Sequence, residues 1–283
     1  MLFKKFLYKL YLDALSIPLI MALVMIGWKK KILETNAQIC RIPDSSRFRF
    51  RFRFYRAAVR DLLEFIHGRY SGTLRPRHRD AARFEKLKAG PSLYLTAHFH
   101  DWELMGAWMT RQGIPLMSGA RSMANPRSQS LLVWFRRRLG MLVVFEDIPR
   151  RALRHLKEGK CFAFLWDQRV AKSDLMATLF EHSVAMDPLP HFLLRHIPVP
   201  VHFGIVLPGG ELRLIQLAAG STPGLGGGTS HGGLNPISPS QLARRYHRVL
   251  ECLTRAHPVH WYGLAHRRFQ GPLMEARPLG SAS

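Results

Sequence analysis

Cysteine is scarce in this 283-residue chain. Its three cysteines, Cys40, Cys161 and Cys252, are odd in number, far apart and in no CxxC spacing. That argues against a disulfide framework or a cysteine-ligated zinc module and suits a reducing compartment. Acidic residues are few as well. Nineteen Asp+Glu stand against 42 Lys+Arg, giving a formal net charge of +23 and a pI near 11.0. A field of that sign attracts nucleic acid, anionic lipid headgroups or an acidic protein, and charge alone does not choose among them. There is no Walker loop, and the run GLGGG (residues 224–228) lacks the strand-to-helix setting of a dinucleotide site. No cofactor is therefore expected. No RNP or KH signature accompanies the Arg-Phe repeats, so nucleic acid is not an expected partner. What is there, 47% hydrophobic residues and a mean hydropathy of -0.07, describes a globular chain long enough to bury a proper core.

The chain also lacks a long uncharged run. Residues 14–28 carry no charge, short of the roughly 20 that a full span needs. A basic, aromatic start precedes this stretch, and Lys29, Lys30 and Lys31 follow it in place of a small-residue cleavage site, which speaks against a signal peptide. Residues 1–31 are expected to form a hydrophobic membrane anchor, either a marginal span or a helix lying in the interface between snorkelling lysines and Trp28. A buried core helix is the competing reading. Residues 32–90 read as a basic amphipathic helical region, 91–270 as a catalytic domain and 271–283 as a tail.

Within the basic region, Phe48, Phe52, Tyr55, Val59, Leu62 and Ile66 step by four and three, one face of a helix, with Ser45 or Ser46 as its cap. Phe50 and Phe54 fall opposite, among Arg47, Arg49, Arg51 and Arg53. They pack on a neighbouring element, or they dip into a bilayer while the arginines hold phosphates.

From residue 91 on, short β-rich runs alternate with helical patterns. The predicted strands are SLYLTA, IPLMSG, MLVVFE, CFAFLWD, PVPVHFGIVL and ELRLIQLA, and the predicted helices cover about 102–112, 125–139, 149–158 and 187–196. A serine-capped helix begins near residue 238 after the glycine-rich stretch 220–239. The alternation predicts an α/β fold with a mostly parallel central sheet and flanking helices.

The chemistry concentrates in HFHDWE, residues 98–103. His98 and His100 alternate toward one side of a strand and, with Asp101 or Glu103, could hold a metal. His155, His182, His191, His196 and His202 add no ligand pattern, so no metal is expected. The histidines could instead merely cap the strand and helix that meet here. In the third reading His98 ends a strand at the edge where α/β enzymes place their sites, and Glu103, in the first turn of the next helix, orients the imidazole. Such a histidine takes a proton from an alcohol attacking a thioester.

HFHDWEL resembles the H-x4-(D/E) motif of glycerolipid acyltransferases, in the form of the bacterial lipid A biosynthesis acyltransferases. Three further blocks agree in order: GARSMANPRSQSLLVWFRRRLGM, ALRHLKEGKCFAFLWDQR and HPVHWYGLAHRRF. The resemblance runs from about residue 48 to 269. It implies acyl transfer from acyl-acyl carrier protein to a hydroxyl of a lipid A precursor, at the cytoplasmic face of a bacterial inner membrane. Lysophospholipid or an aminolipid is the second acceptor, and a non-catalytic basic membrane or nucleic-acid binder the reading of another class. In the family's terms His98 is the base and Glu103 its acid. Arg121 binds an acceptor phosphate or the oxyanion, and Asp167 completes the polar cluster or holds Arg121. The chain departs from the family at His100-Asp101, where Gly-Asn is usual, at Arg169, where another Asp is common, and at LFEHSVAMD, which lacks the usual glycine, proline and threonine. Acyl chain length and acceptor are left open by those departures.

Overall fold

A computed structural model describes residues 2–44, 48–67, 74–123, 125–170, 173–220, 237–266 and 268–269. The proposed serine cap at Ser45 or Ser46, Arg47, most of the 220–239 stretch and the tail lie outside them. In chain order the strands are β1 (Arg75–Pro76), β2 (Ser92–Thr96), β3 (Leu116–Gly119), β4 (Leu142–Val144), β5 (Cys161–Leu165), β6 (Met176–Leu179), β7 (His182–Ala185), β8 (Val201–Leu207) and β9 (Glu211–Ala218). The helices are α1 (Leu2–Met25), α2 (Lys30–Ile39), α3 (Phe48–His67), α4 (His78–Ala89), α5 (Trp102–Arg111), α6 (Pro126–Arg138), α7 (Ile148–Lys157), α8 (Leu189–His196) and α9 (Pro239–Ala256).

Seven strands form one sheet in the order β1-β9-β8-β2-β5-β3-β4, parallel except for the β8–β9 hairpin. The expected α/β architecture is therefore present. Alternation along the central strands feeds both faces of the sheet. Leu93, Leu95, Phe162 and Phe203 enter one core, while Tyr94, Cys161, Ala163 and Val206 enter the other. Such double coverage explains why these strands read as nearly continuous apolar runs. Gly204 on β8 is dictated by its neighbour: a Cβ there would meet the Tyr94 ring at 2.1 Å. The helix signals hold at both well-capped ends. Asn125 accepts hydrogen bonds from the Arg127 and Ser128 amides, and Ser238 with Gln241 closes a reciprocal capping box on α9. The β6–β7 hairpin and the short β1 were not foreseen. LFEHSVAMD turns back on itself through Phe180 and Glu181, both at positive φ, with His182 bonding the Phe180 carbonyl.

The expected face of α3 is corrected. Phe50, Phe54, Tyr55, Val59, Leu63 and Phe65 are buried, whereas Phe48 and Leu62 are each 53% exposed. Phe50 and Phe54 thus pack into the core and do not reach toward a bilayer. Two aromatic sets compete for the inside of this helix. The one facing the segment after α9 prevails, with Phe54 edge-on to Tyr262 and buried completely.

Helix α1 packs along α3, burying Leu12, Ser16 and Ile20. Its outer side leaves Leu10, Leu15, Ile17, Leu19, Met21 and Met25 exposed. Among the described residues no single helix is long and apolar enough to cross a membrane. Residues 10–25 of α1 and helix α2 pass that test only as a pair bent by 88°. Leu12 and Ile20 belong to the same core as the sheet, as do Leu33 and Ala37 of α2.

Three histidines buried in the fold, His191, His202 and His247, are pulled down by burial to about 4, 4 and 3. Unfolded, each binds a proton near pH 6.5, so the stability they contribute is present above that pH and is lost as pH falls toward 4. Each adds a slope of up to about 1.4 kcal/mol per pH unit in that window. Thermal melts at constant ionic strength are expected to fall steeply from pH 6.5 to 4.5. A flat profile there contradicts neutral buried imidazoles.

Candidate active site

The register of two adjacent parallel strands builds the centre of the site. Thr96 on β2 pairs with Leu165 on β5, so two residues further on His98 and Asp167 leave the same carboxyl edge side by side. Asp167 Oδ1 lies 2.7 Å from His98 Nδ1, and its Oδ2 accepts the His98 amide at 2.9 Å and the Trp261 indole N–H at 3.0 Å. Burial pushes the Asp167 carboxyl up, yet the charge and hydrogen bonds of His98 and the Trp261 indole outweigh it and hold it down at about 2. An ionised carboxylate at Nδ1 fixes the proton there and leaves Nε2 as the acceptor. The Gln168 amide nitrogen lies 3.1 Å from that Nε2.

The expected His98–Glu103 pair is replaced by this one. Trp102, the first residue of α5, sets its ring 5.2 Å from the imidazole, and Glu103 turns toward the last turn of α6. There Arg136 grips it, with Nε 3.1 and 3.2 Å from the two carboxylate oxygens and Nη2 closing the fork. Both side chains are nearly closed off from solvent.

Arg121 follows β3 and reaches the same cavity, but its side chain is 54% exposed. It donates to the Arg169 carbonyl at 3.2 Å and to Asp187 Oδ2 at 3.3 Å. It therefore does not touch Asp167, which serves His98 instead. Arg169 contributes a backbone carbonyl to this contact.

His100 faces away from His98. Its Nδ1 lies 2.9 Å from Asp61 Oδ2 on α3, which also accepts the Tyr262 hydroxyl at 2.5 Å, and its Nε2 is 3.5 Å from Asp101. Burial pulls the His100 pKa down, but Asp61, with Asp101 and Glu64 beyond it, raises it to about 9. His98 and His100 thus belong to two separate polar groups, which removes the HxH metal pair considered from sequence. The segment after α9 straps both groups in place. Tyr262 N–H bonds His98 O at 2.7 Å, and His100 N–H bonds His260 O at 2.8 Å. Asn36 of α2, wholly buried, donates to the Leu264 and His266 carbonyls and pins the strap from the far side.

His98, His100, Asp61, Glu103, Arg121 and Arg136 line a cavity of about 430 Å³ whose other walls are mainly apolar, with Trp28, Phe54, Leu62, Phe65, Met123 and Leu132 among them. A base aimed into an apolar pocket with an arginine beside it can deprotonate an alcohol and shield the resulting charge from water. Sequence reasoning missed Arg136 and Asp61, and it singled out the HPVHWYGLAHRRF block by resemblance without its role as a strap. Arg136 had a signal: it follows Leu132 by four on the helix face that Leu132, Phe135 and Leu139 turn to the core, where an arginine needs a partner.

No curated protein matches the chain. A family model described as bacterial lipid A biosynthesis acyltransferase matches residues 78–270, about two thirds of the sequence, including β2, β5 and every residue just placed around His98 except the N-terminal helices' contributions. The four ordered sequence blocks and the paired His98 and Asp167 at one sheet edge agree with that match, and the chain belongs to the bacterial lipid A biosynthesis acyltransferase family.

Proposed function

We propose that this acyltransferase moves a fatty acyl chain from acyl-acyl carrier protein to a hydroxyl of a lipid A precursor, at the cytoplasmic face of a bacterial inner membrane. The observation that carries the chemistry is His98 Nε2, set in an apolar cavity with its Nδ1–H on buried, ionised Asp167. Nε2 takes the proton of the acceptor hydroxyl as its oxygen bonds to the thioester carbonyl carbon. The tetrahedral adduct collapses with loss of the thiolate, which recovers the proton from Nε2. Asp167 stabilises the imidazolium between those two transfers.

Glu103 enters this scheme through Arg136. By occupying Nε and one side of the guanidinium, it holds the remaining N–H groups toward the cavity, where they meet the thioester oxygen as it gains charge. Arg121, more exposed, serves an acceptor phosphate at the mouth. The overall positive charge suits an acidic carrier protein and an anionic lipid. The outward apolar side of α1 supports a helix lying in the membrane interface.

His98→Ala is expected to cut turnover by roughly 10²–10⁴ with the fold retained. Asp167→Asn, which removes the charge and invites the wrong tautomer, should fall in a similar range and lower kcat more than KM. Arg121→Ala should act mainly on acceptor KM. Assay with acyl-carrier-protein thioester and lipid A precursor, against lysophospholipid and aminolipid acceptors, separates the acceptor classes. Full transfer activity in the His98→Ala chain refutes His98 as the base, whereas no transfer by the unaltered chain to any of these acceptors favours a non-catalytic binder.

Membrane association has its own test. Ile17→Asp with Met21→Asp, one turn apart on the exposed side of α1, should weaken flotation with anionic vesicles by about tenfold or more. Arg49→Gln should have a smaller effect, of about 1 kcal/mol. Unchanged flotation of the double variant removes α1 from the membrane contact.

A further inference from the structure

The Asp61–His100 group has more polar atoms than it uses. Asp61, His100 and His260 each offer one ligand atom, and these three atoms lie within 4.8 Å of one another. They come from three separate places, α3, the β2–α5 loop and the strap, brought together by the His100 N–H to His260 O bond. The two imidazole rings stand 4.6 Å apart at their centroids. Beside them Asp101, 8% exposed, has Oδ1 buried without a partner while its Oδ2 approaches His100 Nε2 at 3.5 Å, and His260 Nδ1 is likewise buried and unpartnered.

His100 also stands in an uncommon backbone state. Its φ is 44°, the left-handed region that glycine occupies freely and a histidine enters at a cost of about 1 kcal/mol or more. A glycine would relieve that strain and lose the imidazole. Retaining histidine here places its ring between Asp61 and Asp101.

We propose that Asp61, His100 and His260 form a binding site for one divalent zinc ion in the wall of the cavity, distinct from the His98 base. Two imidazoles and one carboxylate are a donor set that suits zinc, and three protein ligands leave a fourth position open toward the cavity that Asp61 and His100 line. His100 Nδ1 and Asp61 Oδ2, 2.9 Å apart, need to separate only to roughly 3.3 Å to become adjacent corners of a tetrahedron with bonds near 2.0–2.1 Å. Asp101 then receives the His100 Nε2–H, the carboxylate–histidine arrangement that orients a zinc-bound imidazole. The Tyr262 hydroxyl keeps its bond to the Asp61 carboxylate from outside. An ion so placed offers its open position to an anionic or hydroxyl oxygen of whatever occupies the cavity.

The test uses the full chain in detergent, stripped with a chelator and then incubated with zinc chloride and freed of excess by gel filtration. Elemental analysis should find one zinc per chain, and cobalt substitution should give four-coordinate visible bands without thiolate charge transfer. Competition against a chromophoric chelator should show affinity lowered by about 100-fold or more in His260→Ala and in His100→Ala. His98→Ala and the exposed His196→Ala should bind as the unaltered chain does. Less than about a tenth of an equivalent of zinc on the unaltered chain overturns the proposal. So does undiminished affinity in His260→Ala, or loss of the metal in His98→Ala. If the His260 or His100 variants fail to fold, the cobalt spectrum of the unaltered chain decides alone, and octahedral or absent bands overturn it.

Discussion

Asp167 is the residue on which the rest of the site depends. Its carboxylate is removed from water and compensated by three donors, two from His98 and one from the Trp261 indole. A buried carboxylate is tolerable only when its oxygens are so filled, because an isolated one costs several kcal/mol. Satisfying it ties together the carboxyl ends of β2 and β5 and the segment that follows α9. That demand explains why the strap bridges back onto Phe99 through Trp261, and why Trp261 is buried completely. Arg268 extends the tie, donating to the Gln168 and Ala185 carbonyls from a buried position. The loop after β5 is thereby held from both sides, with Gln168 set against His98 Nε2.

The amino-terminal helices are part of the same construction. Asn36 reaches across to two carbonyls of the strap, and Tyr55 donates to the Trp28 carbonyl at the α1–α2 bend. Trp28, Phe54 and Leu62 then wall the cavity opposite the sheet. One face of α1 and α3 supports the site, and the other face of α1 stays apolar and exposed. A segment serving both ends needs two apolar faces, which is why its sequence reads as neither an ordinary amphipathic helix nor a full span.

The sheet was legible because buried parallel strands leave contiguous apolar runs, and β2, β3, β4, β5, β8 and β9 all fall where those runs do. The helices that follow β2, β3, β4 and β9 were marked by a cap or by their period. Two things were not legible. On α3 the choice between Phe48 with Phe52 and Phe50 with Phe54 is made by what lies opposite, the strap and Tyr262, some 200 residues away in sequence. The partner of His98 could not be read from spacing either. A carboxylate five residues on, at the start of a helix, competes with one placed by strand register, and register across a parallel pair leaves no local signature.

Three acids at one cavity thus do three different things. Asp167 is enclosed and serves the imidazole. Glu103 is matched by a forked arginine. Asp61 is shared between an imidazole and a phenol. Each pair is close to break-even in stability, because desolvation offsets most of the attraction, whereas removing one partner alone leaves a buried charge at a cost of about 3–5 kcal/mol. Such pairs are poor investments for folding and good ones for geometry. They let a cavity with otherwise apolar walls hold ionised groups in fixed orientation before any ligand arrives. Solvated by water, the same groups would have no fixed orientation. In a site that must receive a greasy chain and a reacting hydroxyl together, apolar walls and pre-paired charges are the combination that admits both.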